Sequence, residues 1–375
     1  MWNEDDWEGL FADWDQLNII MEQNAVFLFS EDDPDEICGY YLPQGNSRSK
    51  LQAVYWLAKE MEMLAKADSL FGILERIEKG EVLYARYSKK KKDGTRREIC
   101  VPCEELKKIQ RRLNKKLFPF SFIRSKNASG FSGGGVIDAI RPHLNAKVIL
   151  GVDCKDAFST VKSHDLSRLF LGQKGYRSYY DNEGRRQEEI GNGLFSYYVA
   201  NFLIKLVTYN GRLPQGPPTS PRLFDAAFLA VDQRLGKLAE HVGGVYTRYA
   251  DNLFFSLTHK DCFDGALVRA ILRIILGSRR PTPRFAYHKF RITKLGANAY
   301  RLLGLNVVDG KIHNTRDFKR RLRLGLHHVN WLLDQEMDVE EDWDKLNGMM
   351  SFAVKETLPV KLLAEYQRVK ERISD

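Results

Sequence analysis

Two places in the chain set carboxylates where chemistry could follow. Asp153 ends the apolar run "VILGV" (148–152), and Asp251 is followed directly by Asn252 in "RYADNLFFS" (248–256). Taken alone, Asp251-Asn252 reads as the bend of a hairpin, because Asp and Asn tolerate left-handed backbone and cap nearby amides. Asp153 changes that balance: an ionised carboxylate closing a core strand needs a partner or a metal. Two carboxylates from separate strands, with a backbone carbonyl beside one of them, offer the hard oxygen ligands that Mg²⁺ takes, leaving other positions to water and phosphate. Two such ions about 4 Å apart can activate a hydroxyl and stabilise the leaving oxygen of an in-line displacement. The chemistry this points to is nucleotidyl transfer, provided the two strands are neighbours.

The elements around them must therefore be read. "LYARYSKKKKDGTRREICVP" reads as two strands joined at Asp93-Gly94, and "AKVILGVDCKDAF" contains a buried strand. Val245 to Tyr249 and Leu253 to Leu257 read as a hairpin with Ala250-Asp251-Asn252 at its bend. Leu51 to Lys79 reads as one helix on the spacing of Leu51, Val54, Tyr55, Leu57, Ala58 and Met61. "CEELKKIQRRLNKKLF" reads as an amphipathic helix with a basic face, ending before Pro119. A further helix is expected from Arg222 to about His241, and the last 60 residues, from "TRDFKRRLRLGLHHVNWLL" onward, read as wholly helical. "SGFSGGG" (129–135) lacks the Lys-Ser/Thr ending of a phosphate loop and reads as a connection. Strands interleaved with helices before a helical tail predict an α+β body with an appendage.

Composition limits the functional class. The chain has 375 residues, 43% of them hydrophobic, and a net charge of +9. Residues 1–47 hold twelve Asp/Glu and no Lys/Arg, so the rest of the chain carries +21, the difference between 58 basic and 37 acidic residues. A surplus of that size favours a polyanion partner through phosphate neutralisation, although a solvated basic surface would have the same composition. The acidic segment with Trp2, Trp7 and Trp14 could cover a basic groove, bind a partner or pack as a solvated helix. Cys100 and Cys103 form a lone CxxC without a second ligand pair, which reads as apolar thiols rather than a zinc site. With neither a signal-peptide pattern nor an apolar run of about 18 residues, no membrane association and a cytoplasmic location are expected.

"GVDCKDAF", "LPQGPPTSP" and "YADN", in this order and spacing, resemble the palm motifs of reverse transcriptases, most of all the bacterial group that includes retron and group II intron enzymes. The resemblance runs from about Tyr84 to Val329, and LPQG with TSP is its most specific part. It implies a right-hand polymerase fold: an acidic N-terminal segment (1–50), N-terminal helix and fingers (51–145), palm (146–310) and helical thumb (311–375). It implies that Asp153 and Asp251 bind two Mg²⁺, with Mn²⁺ as a substitute, and that the Cys154 carbonyl is a further ligand. Phe158 matches the aromatic that blocks a ribose 2′-hydroxyl, so dNTPs are implied. Gln215 and Gly216 match the loop beneath the incoming nucleotide, Lys91 and Arg97 the residues that hold the triphosphate, and Lys289 a Lys that protonates pyrophosphate. "YRLLGLNV" (300–307) matches the strand pair gripping the primer end, and "KRRLRLGLHH" would lie along the duplex.

The pattern departs from the family where Asn252 replaces a second aspartate. An amide oxygen can still ligate Mg²⁺ but brings no charge, so metal affinity should fall. Leu302-Leu303-Gly304 replaces the retron Val-Thr-Gly, and "DAIRPH" (138–143) only approximates a retron element. No maturase, endonuclease or RNase H segment fits in the remaining length. What is left resembles compact stand-alone reverse transcriptases of antiphage defence, implying an RNA template, a structured noncoding RNA, dNTPs and a DNA product. Two alternatives stand beside this reading: a catalytically weak or inactive polymerase fold kept as an RNA-binding scaffold, and untemplated or protein-primed DNA synthesis. Oligomeric state is left open.

Overall fold

A computed structural model of the protein describes residues 47–90, 94, 96–122, 124–131, 134–171, 178–180, 186–188, 195, 197–259, 262–276, 285, 287–295 and 300–374. Its centre is a five-stranded sheet in the order β3-β7-β8-β4-β9. β4 (Val148–Cys154) lies between β8 (Asn252–Leu257) and β9 (Tyr287–Lys294), antiparallel to both. β7 (Gly244–Tyr249) completes the hairpin with β8, and the two-residue β3 (Ala128–Ser129) adds parallel to β7. An inner strand covered on both faces needs apolar residues at nearly every position, which is why β4 reads as an unbroken run. Five of its seven residues are buried, and Asp153 near its end is half-buried.

Helices cover this sheet. The 22-residue α9 (Ser220–His241) packs on β7 and carries Leu223, Phe224, Phe228, Val231 and Leu235 into the main core. It starts two residues before Arg222 because Pro221 is compatible with a first helical turn, where no backbone donor is needed. Shorter helices join the same core: α6 (Ala157–Thr160), α7 (Ser163–Leu171), α8 (Tyr197–Val207) and α10 (Gly265–Ile275), with α5 (Val136–Ile140) lying near the sheet edge. A small hairpin, β5 (Ser178–Tyr180) with β6 (Arg186–Glu188), projects between α7 and α8 in sequence.

Two helical expectations are corrected. Residues 51–79 form α1 (Ser47–Glu60) and α2 (Ala67–Glu78), not one helix. After α1, Met63 N–H bonds the Ala58 carbonyl and Glu62 N–H that of Lys59, with Glu62 at φ +54°, a Schellman stop. Periodicity missed it because Met61 stays buried through the turn. The helix α3 (Glu104–Arg112) does not end before Pro119. It widens into a π-turn over Leu113–Leu117 and continues as α4 (Phe118–Ser121), so Pro119 sits in a new first turn where its missing donor is tolerated.

The hairpin of β1 (Tyr84–Lys90) and β2 (Arg96–Pro102) forms as read from the sequence, with residues 91–93 outside the described residues. β10 (Tyr300–Leu302), β11 (Leu305–Val308) and β12 (Lys311–His313) make a small antiparallel sheet. Beyond it, α11 (Arg316–Asp334), α12 (Glu340–Ser351) and α13 (Val360–Ser374) enclose a separate apolar cluster of Leu322, Leu326, Val329, Leu346, Met350 and Leu362. Gly325 lets α11 and α12 approach, since a β-carbon there would lie 2.7 Å from Leu346. No described helix is long and apolar enough to cross a membrane.

Candidate active site

The register of the central sheet joins the two carboxylate segments. Asp153 pairs with Asn252 on β8 and with Lys289 on β9, and Cys154 N–H donates to the Asp251 carbonyl at 3.1 Å. Asp153 and Asp251 therefore stand at the same end of neighbouring strands. A β-bulge interrupts the β4–β9 ladder between Asp153 and Cys154, a feature that re-aims local groups and frees backbone polar atoms. The Cys154 thiol is buried, and burial pushes its pKa well up, so sulfur is not the ligand atom this residue would offer. The side chain of Lys289 lies outside the described residues, and Lys91 lies outside them altogether.

The bend is tighter than the sequence implied. Only Ala250 and Asp251 form it; Asn252 already belongs to β8 and pairs with Tyr249. The residue in left-handed conformation is Ala250, at φ +53°, although Asp or Asn would tolerate that geometry better. Asn252 Nδ2 donates to Asp251 Oδ1 at 3.0 Å. A carboxylate oxygen only accepts, so this contact fixes which end of the amide faces Asp251. Burial raises the Asp251 pKa and the Asp153 charge adds to the rise, against a backbone hydrogen bond, Arg97 and Arg248, which lower it.

Arg97 thus reaches the field of Asp251 from the β1–β2 hairpin. The hairpin is fastened to the Gln215-Gly216 loop: Cys100 N–H donates to the Gln215 carbonyl at 2.7 Å. Gly216 has φ +124°, and a β-carbon on it would lie 2.6 Å from the Cys100 carbonyl oxygen and 3.0 Å from Ile99 Cγ2. Only glycine fits there. Phe158, on α6, is held in an aromatic cluster, 5.4 Å from both Phe131 and Phe224 between ring centroids. Phe131 belongs to "SGFSGGG", which contributes a packing residue as well as a connection.

Two parts of the site were missed in the sequence. Arg248 is fully buried and spans Asp232, Asp225 and the Ala250 carbonyl. The signal was present: Asp225 and Asp232 lie seven residues, two helical turns, apart on the face of α9 that also carries Phe228 and Leu235, so both face the core. His143, from "DAIRPH", is also buried, with Nε2 2.8 Å from Thr247 Oγ1 and Nδ1 2.6 Å from Ser256 Oγ. Thr247 gives its single hydroxyl proton to the Ala139 carbonyl, so Nε2 must donate and Nδ1 accept from Ser256. A neutral imidazole therefore ties β7 and β8 together, and burial lowers its pKa to about 4.

The donor set fits a hard divalent cation. Two carboxylates, an amide and a bulge-side carbonyl offer oxygen atoms, and no group of three His, Cys, Asp or Glu among the described residues forms a closed cage. Such a site is completed by ligands from outside the protein. A strand-end carboxylate beside a hairpin carboxylate, on a mainly antiparallel sheet backed by helices, is the arrangement of a polymerase palm.

Residues 89–276, half the chain, match the family described as reverse transcriptase (RNA-dependent DNA polymerase). The protein belongs to the reverse transcriptase family, and its fold is the right-hand polymerase fold. It is similar to the retron Mx65 reverse transcriptase of Myxococcus xanthus, 29% identical over 294 residues that cover 72% of this chain and 60% of the relative. The retron Mx162 reverse transcriptase of the same organism is 27% identical over 82% of this chain and 65% of its own length. The retron Ec86 reverse transcriptase of Escherichia coli is 26% identical over 69% of this chain and 74% of its own length. The aligned part thus spans less than two thirds of both Myxococcus proteins.

Proposed function

We propose that the protein is an RNA-directed DNA polymerase that copies a structured noncoding RNA and serves antiphage defence. The observation that carries the polymerase reading is the strand register setting Asp153 beside Asn252 and next to the Asp251 bend, in a chain of the reverse transcriptase family. In this reading residues 51–145 are N-terminal helix and fingers, 146–310 palm and 311–375 thumb. The metal ligands are Asp153, Asp251 and the Cys154 carbonyl, with the Asn252 amide oxygen as the uncharged fourth. Mg²⁺ held there, or Mn²⁺ in its place, supplies activation of the primer 3′-hydroxyl and neutralises the leaving pyrophosphate.

The chain's own residues do the remaining work. Arg97 and Lys91 bind triphosphate oxygens from the hairpin side, the planar guanidinium of Arg97 taking two at once. Gln215 and Gly216 form the floor under the nucleotide, and the glycine's missing side chain keeps that floor against β2. Phe158, wedged between Phe131 and Phe224, is a rigid wall against a 2′-hydroxyl. Lys289, whose backbone pairs with Asp153 across β4 and β9, is the proposed donor of a proton to the leaving pyrophosphate. Exposed Arg316, Arg320, Arg321 and Arg323 on α11 line the duplex.

Primer extension on an RNA template, with Mg²⁺ and separately with Mn²⁺, tests this. Wild type incorporates dNTPs, and Asp153→Ala and Asp251→Ala each lose at least about a thousandfold. Undiminished incorporation by either variant overturns it. A scaffold reading draws on one observation, the Asn252 nitrogen spent on Asp251 rather than a second negative charge at the site. Activity of the wild type rules it out; DNA synthesis only after Asn252→Asp supports it. Synthesis without template, or DNA attached to the protein, would point to untemplated or protein-primed chemistry.

A further inference from the structure

The two aspartates of α9 and the arginine of β7 make a buried network that the proposed mechanism does not use. Arg248 Nε and Nη2 grip Asp232, donating to Oδ1 at 2.9 Å and Oδ2 at 2.8 Å. Nη1 donates to Asp225 Oδ1 at 2.8 Å and to the Ala250 carbonyl at 2.7 Å. The guanidinium lies over the rings of Phe228 and Phe224, 4.7 and 5.5 Å from their centroids, and Tyr246 donates to Asp232 Oδ1 at 2.7 Å. As a stabilising device this is poor, because a desolvated ion cluster gains little over apolar residues of the same volume. What apolar residues could not do is hold the carbonyl of Ala250.

That carbonyl matters because the next residue in the chain is Asp251. Ala250 is in the left-handed region, which a non-glycine residue keeps only where its surroundings enforce it. The Ala250 N–H is held by the Ser129 carbonyl at 3.0 Å and its carbonyl by Arg248. One residue on, the Asp251 carbonyl accepts from Cys154 N–H at 3.1 Å. The peptide planes before and after Asp251 are both pinned, so its α-carbon has little freedom. Of those three anchors, only the one on the Ala250 carbonyl comes from a side chain.

We propose that Arg248 is a positioning residue for Asp251: braced by Asp225 and Asp232, its guanidinium clamps the strained Ala250 turn so that the Asp251 carboxylate is held in the geometry polymerisation requires. The part concerning catalysis rests on the polymerase reading above; the clamp itself does not. The fork shape is essential, since one planar group must reach two carboxylates and a carbonyl in different directions.

The test compares wild type, Arg248→Lys, Asp225→Asn, Ala250→Gly and the double variant R248K/A250G. Lysine keeps the charge facing both aspartates but has no fork. Hydrogen exchange of the full-length protein is expected to quicken at least tenfold at the Ala250 and Cys154 amides in R248K, and less in D225N, with interior β4 amides unchanged. In steady-state primer extension, R248K should lose at least tenfold in kcat with KM for dNTP within twofold of wild type. Glycine takes the left-handed conformation freely, so A250G should restore kcat in the R248K background about fivefold, which a general loss of stability would not allow. D225N reports the same clamp where R248K does not fold. Unchanged exchange at both amides overturns the proposal, as does a kcat loss that tracks melting temperature and resists A250G. A wild type that makes no DNA defeats the polymerase reading instead, and the exchange data still decide the clamp.

Discussion

His143 shows how much one buried side chain governs around the site. Its ring is neutral in the fold, with a pKa of about 4 against an ordinary 6.5, because burial disfavours the imidazolium. Both ring nitrogens are engaged, so protonation would put two donors where Ser256 needs an acceptor. The unfolded chain binds this proton below about pH 6.5 and the folded chain only near pH 4, so between those values the unfolded state holds more protons. Stability from this group is complete above pH 6.5 and falls as pH drops toward 4, by up to about 3 kcal/mol. Urea unfolding at pH 7.5 and 4.5 should show the loss, and His143→Gln should flatten that part of the profile. A slope unchanged by the substitution would mean other groups cause it.

At the scale of elements, the β1–β2 hairpin is fixed to the Gln215-Gly216 loop, the proposed floor under the nucleotide, by the Cys100 N–H bond to the Gln215 carbonyl. Both sides are backbone at the point of closest approach, so neither can swing aside. Gly216→Ala would place a β-carbon 2.6 Å from the Cys100 carbonyl oxygen and force φ +124° on an L-residue. The expected cost is at least about 2 kcal/mol in urea unfolding, with a several-fold rise in KM for dNTP as the hairpin carrying Arg97 moves away. A variant with wild-type stability and KM would show that the loop can shift freely. The same reasoning explains the helix stop at Glu62 and the π-turn before Pro119: each is a backbone solution that apolar spacing does not encode.

For the whole molecule, charge is the main lever. The chain outside residues 1–47 carries +21, and α11 places exposed Arg316 and Arg323 clear of the ion pairs that Asp317 makes with Arg320 and Arg321. The three C-terminal helices have their own apolar cluster, so this basic face can change without disturbing the sheet. Arg316→Gln with Arg323→Gln should lower affinity for an RNA–DNA duplex and reduce the slope of log K against log salt by about 2, measured by fluorescence anisotropy. An unchanged slope would take α11 out of the duplex interface.

β4, the β7–β8 hairpin and the basic β1–β2 hairpin follow from apolar runs and turn residues, and the order of short motifs around Asp153, Gln215-Gly216 and Asp251 carries the family, because strand burial and turn chemistry are local. Tertiary structure alone decided that Asn252 pairs with Asp153 and gives its amide hydrogen to Asp251, that Ala250 bears the left-handed turn, and that Arg248 meets Asp225 and Asp232 in the interior. Those contacts join residues from different strands and helices. A buried charge is tolerable only when its partners converge on it from elsewhere in the chain, and that convergence is set by packing.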